Sequence, residues 1–270
     1  LSESNKYPVR IALGIEYDGS RFSGWQRQRD PDLPTVQANL ESALSQIADH
    51  PVQLVCAGRT DSGVHATCQV VHFNCAIDRG EKAWTQGTNS LLPPTVRVTW
   101  AVPVDETFHA RFSAEARRYQ YVIFTRRTAS ALLAGKVTHI RTALDFEAMH
   151  EAAQSLLGEQ DFSSFRAAGC QSNSPNRNVS AVSVTQRGQF IILDIVANAF
   201  LQHMVRNIAG ALLEIGRGDR HAGWIAELLA AKDRTQGAVT APPDGLYLVH
   251  VQYPAAFKLP ITLSSPPILG

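Results

Sequence analysis

"VRIALGIEYDG", residues 9–19, decides how the first half of the chain is read. Val9, Ile11, Leu13, Ile15 and Tyr17 alternate with Arg10, Ala12, Gly14 and Glu16. A period of two belongs to a strand, and Asp18-Gly19 closes it with turn residues. Next along the chain, Val36, Leu40, Ala43, Leu44 and Ile47 share one helical face, and Thr35 after Pro34 suits the N-cap. Residues 52–57 predict a strand, and residues 69–73 predict another. Residues 81–92 predict a helix stopped by Pro93-Pro94, and residues 96–102 a further strand. The order is β-α-β-β-α-β, the ferredoxin-like or split βαβ pattern that RNA-recognition sheets also use.

The second half repeats this order loosely. Residues 117–125 alternate as a strand, with Tyr119 and Tyr121 on one face. Phe146, Met149, Ala153, Leu156 and Leu157 mark an amphipathic helix ending near Gly158. Residues 178–185 and 189–197 read as a hairpin around Arg187-Gly188. Residues 199–215 read as a helix, with Leu201, Met204, Val205, Ile208 and Leu212 on its inner stripe. A helix over 222–231 and a strand over 246–253 follow, then a Pro-rich, extended tail from Pro254. The expected fold is α+β: two ferredoxin-like or RNA-recognition-like β-α-β-β-α-β units with largely antiparallel sheets. The expected units are residues 1–105, carrying a loop at 57–66, and residues 106–270.

Composition narrows the functional class. The chain has 270 residues, 44% hydrophobic and 18% charged, which is a globular balance. No apolar run approaches the roughly 18 residues a membrane span needs. The opening LSESNKYPVR lacks the charged-then-apolar order of a signal peptide. Cys56, Cys68, Cys75 and Cys170 form no CxxC pair, so free thiols and a cytoplasmic location are expected. A net charge of +1 argues against coating nucleic acid by bulk charge, yet there are twenty Arg against five Lys. Arginine suits bidentate phosphate contacts and base stacking. Between Thr107 and Arg141 stand Arg111, Arg117, Arg118, Arg126, Arg127, Lys136 and Arg141 against one acid, Glu115. Such a stripe fits either a specific anionic partner or a solvated face.

The loop "CAGRTDSGVH", residues 56–65, holds the candidate acid. Asp61 lies between two hydroxyl residues just past a strand, with Gly58 and Gly63 leaving room for a ligand. By itself the loop describes an Asx-turn better than a reacting group. Other arrangements carry less. His65, Cys68 and His72 fit no standard zinc spacing, so no metal is expected. No GxGxxG follows a strand and no GxxxxGK[ST] occurs, so no nucleotide cofactor is expected. Asp161, in "GEQDFSSF", reads as a capping or turn residue.

"CAGRTDSGVHA" resembles the catalytic loop of the TruA family, the bacterial tRNA pseudouridine synthase I type. "YDGSRFSGWQRQ" (17–28), "FHARFSAEARRYQY" (108–121), "LLGEQDFSSFR" (156–166), "ANAFLQHMVRNIAG" (197–210) and "DGLYLVHVQYP" (244–254) resemble the same family in the same order. One departure is Ser62, where the bacterial loop often has alanine. The resemblance implies a pseudouridine synthase type fold, and isomerisation of uridine in the tRNA anticodon arm without a cofactor. It implies Asp61 as the catalytic carboxylate and Arg59 as an aid to extruding the base. It also implies Tyr119 as the ring against the uracil, Arg206 as the partner of the acid, and a homodimer. Arg117, Arg118, Arg126 and Arg127 then become candidates for the RNA backbone, although alternation puts Arg118 on the face opposite Tyr119. The rival readings are an RNA-binding protein without catalysis and a hydrolase or phosphotransferase using Asp61. The latter usually needs a second acid or a metal.

Overall fold

The computed structural model describes residues 7–30 and 32–270. The chain forms two compact units. The first takes the chain up to Glu115 together with Leu248–Pro267; the second takes Ala116–Tyr247 with Ile268–Gly270.

The first unit contains β1 (Val9–Tyr17), α1 (Val36–Ala48), β2 (Val55–Cys56) and β3 (His65–Cys75). A π-helical turn (Ala83–Gly87) then runs into α2 (Thr88–Leu91), followed by β4 (Val96–Val104). β1 lies between β4 and β3, antiparallel to both, and β2 pairs with β3. The alternation of β1 does not mark an inner and a solvent face, because Ile11, Ala12, Leu13 and Ile15 are all buried. Gly14 pairs with Trp100 of β4, and a Cβ there would come within 2.1 Å of the indole nitrogen. Gly14 therefore makes room for an indole. Thr35 caps α1 by accepting from the Ala38 N–H at 3.3 Å.

The predicted strand 52–57 shrinks to Val55–Cys56 for a hydrogen-bonding reason. The Val52 N–H donates to Ser45 Oγ at 2.9 Å, and the Leu54 N–H donates to the buried Glu41 carboxylate at 2.9 Å. Both amides are satisfied by α1 and not by a neighbouring strand. β3 extends four residues earlier and two later than the predicted 69–73.

The second unit contains β5 (Ala116–Thr125), β6 (Thr138–Ile140), α3 (Phe146–Ala153), β7 (Gly158–Asp161), β8 (Asn176–Arg187), β9 (Phe190–Ala197), α4 (Met204–Gly216) and α5 (Trp224–Ala231). Its strands run in the order β5-β9-β8-β7, all antiparallel, with β6 parallel to β5. β6 and β7 are too short to show a period, and the sequence reading omits them. The hairpin turn is Gly188-Gln189, one residue beyond the expected position: Arg187 pairs with Phe190 and Gly188 takes φ +58°. The chain returns to the first unit within β10 (Leu246–Gln252).

Two further boundaries differ from expectation. The unit boundary falls at Ala116 and not at 106, because residues 106–115 are tied to the first unit. Arg10 Nη1 donates to the Phe108 carbonyl at 2.9 Å, and Phe108 packs on Tyr253 and Phe257. The same contacts bring the tail after Pro254 into the first unit, where Ala255–Phe257 makes a 3-10 turn. α4 starts at Met204, not at 199. Asn198 Oδ1 accepts the N–H groups of Asn178 and Ala199, and the Gln202 carbonyl accepts from Ala167, so residues 198–202 are held as a loop. Leu201 is buried all the same, which is why it continues the helical pattern. The fold is mixed α+β with mostly antiparallel strands.

Candidate active site

Asp61 sits in the loop from β2 to β3, and its immediate neighbours are tethered from two sides. On one side, the Ala57 N–H donates to the Val70 carbonyl at 2.8 Å. Gln69 is fully buried; its side chain accepts from the Gly58 N–H and donates to the Gly58 carbonyl. On the other side, segment 17–28 holds the loop. Tyr17 Oη and Thr60 Oγ1 are 2.7 Å apart and buried, and the Trp25 N–H donates to the Thr60 carbonyl at 3.0 Å. Ser62 Oγ donates to the Phe22 carbonyl at 3.1 Å, as does the Gly63 N–H at 3.3 Å. Gly63 takes φ +81°, and the Val64 N–H closes the turn on the Asp61 carbonyl. The approach is close: a Cβ on Gly19 would lie 1.9 Å from the Val64 carbonyl oxygen.

This clamp is the structural task of segment 17–28. Ser62 is exposed, yet its hydroxyl adds a tether that an alanine lacks. The side chain of Asp61 itself is half-buried, and Arg59 beside it is exposed. Burial pushes the Cys56 thiol up to about 12, against the opposing pull of Arg59 and Arg111. Two guanidinium groups therefore lie within electrostatic reach of the base of the loop.

In the second unit, Tyr119 lies on β5 opposite Ile195 of β9. It is nearly buried, with its ring edge-on to Phe200 at 5.0 Å. Phe200 lies in the quoted stretch 197–210, but no role was read for it. Arg206 is on α4, where every residue is buried except Arg206 and Glu214. Its Nε donates to the Ala241 carbonyl at 2.9 Å, while the Ala241 N–H donates to the Arg206 carbonyl. Gly210, one turn on, lets this strap approach: a Cβ there would lie 2.2 Å from the Val239 carbonyl oxygen. Tyr121 Oη donates to the Pro242 carbonyl of the same strap at 2.9 Å. Burial pushes the Tyr121 hydroxyl well above its ordinary value, with Thr138 and then Arg206 opposing. Arg206 is thus within electrostatic reach of the tyrosine-bearing strand.

The four stripe arginines do not form a uniform surface. Arg117 is buried, and its Nη1 donates to the Asn198 carbonyl at 2.9 Å. Arg118 makes a two-pronged pair with Asp194, both bonds 2.7 Å, and Gln120 joins the same carboxylate. That places Arg118 with Gln120, on the face away from Tyr119, as alternation predicts. Arg126 is exposed but donates to the Thr128 and Ala129 carbonyls. Arg127 is exposed and makes no hydrogen bond or ion pair among the described residues.

The remaining candidates have structural roles. Asp161 Oδ1 accepts from the Ser163 N–H at 2.9 Å and the Ser163 hydroxyl at 2.6 Å, the turn role expected of it. Burial raises its pKa, but these bonds and then Lys232 outweigh it, and the carboxyl lies below its ordinary value. His72 accepts from the Ala110 N–H at 3.1 Å, and burial, reinforced by Arg10 and His109, pulls it down to about 3. It is a neutral acceptor. Among the described residues no cluster of three or more His, Cys, Asp or Glu side chains is arranged to hold a metal ion. No helix among them is long and apolar enough to cross a membrane.

The tRNA pseudouridine synthase family model matches residues 14–113 and 152–254. The first segment includes Arg59 and Asp61 and the second includes Arg206; Tyr119 and the four stripe arginines fall between them. The chain is 60% identical over 252 residues to tRNA pseudouridine synthase A of Aeromonas salmonicida, covering 93% of each chain. It is 59% identical over 252 residues to the Shewanella amazonensis protein of that name, covering 93% of this chain and 96% of the other. It is 55% identical over 270 residues to the Pectobacterium atrosepticum protein of that name, covering 100% of this chain and 95% of the other.

Proposed function

This chain belongs to the tRNA pseudouridine synthase family, and on that footing we propose that Asp61 is the carboxylate with which it isomerises uridine in tRNA to pseudouridine. The enzyme is an isomerase. The bond from ribose C1′ to uracil N1 breaks, the uracil turns, and C5 bonds to the same C1′. The proton lost from C5 is balanced by one gained at N1, so no oxidant, reductant or activated phosphate is consumed.

The observation that carries the role of Asp61 is its loop. A half-buried acid is presented from a turn whose neighbours on both sides are fixed by hydrogen bonds. Such tethering holds a reacting group in place through its neighbours. The other roles follow from matching residues to the family's motifs. Arg59 assists extrusion of the target nucleotide, which must leave the stack before it reacts. Tyr119 packs on the flipped uracil. Arg206 is a further substrate-site residue by the same match.

The substrate region is the anticodon arm, at about positions 38 to 40, where a shared backbone grip allows several neighbouring uridines to be flipped. The grip falls to exposed Arg126 and Arg127 before buried Arg117, and Arg118 takes part while sharing its fork with Asp194. Both units are ferredoxin-like, the first supported by its β4-β1-β3 order with β2 on β3. The enzyme is a cytoplasmic homodimer that works without a cofactor.

The test uses tRNA tritiated at uracil C5. Asp61→Asn should fold normally and lose tritium release by about 10²–10⁴-fold, the usual scale for a positioned acid or base. Release near the wild-type rate from a folded variant overturns the assignment. Retained tRNA binding by that variant is expected. A wild-type protein that binds tRNA but yields no pseudouridine would mean binding without catalysis.

A further inference from the structure

Phe112 is 75% exposed, and it stands in a turn that the structure holds rigidly. The His109 N–H donates to Ser113 Oγ at 2.9 Å, and the Ser113 N–H donates back to the His109 carbonyl at 2.9 Å. Inside this closed loop, the His109 ring accepts from the N–H groups of Arg111 and Phe112 at 3.2 and 3.1 Å. The Phe112 ring stacks on the His109 ring with centroids 4.3 Å apart and planes 26° from parallel. The Arg111 guanidinium lies 5.4 Å from the Phe112 centroid. Behind the turn, His72 accepts from the Ala110 N–H and its ring meets that of His109 at 4.8 Å.

A single exposed apolar side chain carries no meaning by itself. Here the ring is fixed by a five-residue device and flanked by a cation, which is the composition of a platform for an unpaired nucleobase. Its place agrees. The turn is bonded to His72 through the Ala110 N–H, and His72 of β3 pairs with Val55 of β2, beside Cys56 at the root of the Asp61 loop within the first unit. We propose that Phe112, stacked on His109 and flanked by Arg111, is a landing surface for an unpaired base of the RNA substrate beside the Asp61 loop. Stacking needs only a π-face, so the platform accepts any base. The proposal rests on the tRNA reading and adds a positioning residue to it. Ordering the ring in advance leaves little side-chain freedom to lose on binding.

The experiment measures kcat and KM on full-length tRNA, and direct binding of a synthetic anticodon stem-loop RNA, for Phe112→Ala, Phe112→Leu and Phe112→Trp. The side chain is exposed, so all three should melt with the wild type. Alanine and leucine should weaken binding and raise KM by about tenfold, the scale of one lost base–aromatic stack, with kcat at saturating RNA little changed. Tryptophan should restore both. Leucine behaving as wild type would overturn the proposal, because a merely apolar contact would then suffice. It is also overturned if alanine leaves RNA binding intact, including the case where self-association weakens and Phe112 touches a second copy. If wild-type protein makes no product, the catalytic reading fails, while the binding series still decides on the platform.

Discussion

The loop carrying Asp61 and the helix carrying Arg206 reach fixed positions by opposite means. The loop has almost no apolar face of its own. Individual hydrogen bonds from Tyr17, Phe22, Trp25, Gln69 and Val70 hold its residues in place. α4 is packed nearly all round, and half-buried Arg206 is held by a strap of backbone at 239–242, its Nε donating to the Ala241 carbonyl. Both arrangements require a glycine where one piece of backbone meets another, Gly19 in the first unit and Gly210 in the second. A tethered loop should therefore lose geometry when disturbed, and a packed helix should lose stability.

Paired substitutions break or sharpen that contrast. Gly19→Ala drives a Cβ toward the Val64 carbonyl, where backbone must move on both sides. It should cost kcat/KM on the order of 10²-fold, the effect of a misplacement of about 1 Å, with a smaller change in melting temperature. Tritium release together with a melting curve checks this. Gly210→Ala should reverse the balance, destabilising by about 1–3 kcal/mol in urea titration as the strap is pushed off α4. Equal activity losses with equal stability losses would erase the distinction between the two regions.

The next effect is pH-dependent and belongs to the first unit. His72 is depressed in the folded state to about 3, so the unfolded chain binds a proton there that the folded chain does not. Its contribution is full above the ordinary histidine value near 6.5 and is lost as pH falls toward about 3. The slope from this one group is at most about 1.4 kcal/mol per pH unit. Unfolding free energies measured from pH 7 to pH 4 should fall along this limb, and His72→Gln should flatten it. The smallest effect is Ser62→Ala, which removes one exposed tether to Phe22. A loss of about 0.5 kcal/mol or less, with activity within a few-fold of wild type, is expected by denaturant titration and the same assay.

Much of the backbone was legible because local chemistry declares it. β1 and β5 announce themselves by alternation, and Thr35 caps α1 as its side chain requires. The errors fall where distant groups intervene. Glu41 and Ser45 take the amides that would have lengthened β2, and Asn198 unwinds the start of the predicted helix at 199. The arginine stripe shows the same limit, since nothing local tells that Asp194 will occupy Arg118 or that Arg117 will be buried. At the site, the acid was visible as a residue in a glycine-flanked loop, but its framework was not. That framework joins Tyr17 to Thr60 and Gln69 to Gly58 across 43 and 11 positions.

Sequence alone determined most of the α+β element order, the family match and the candidates Asp61, Arg59, Tyr119 and Arg206. Side-chain period, capping and turn chemistry act between near neighbours and leave their mark in composition. Tertiary structure alone decided which polar groups were already spent and which glycines stand at backbone contacts. It also decided that one exposed ring, Phe112, is held rigid. The first two outcomes depend on partners tens of residues away, and a hydrogen bond's second partner is not written beside its first.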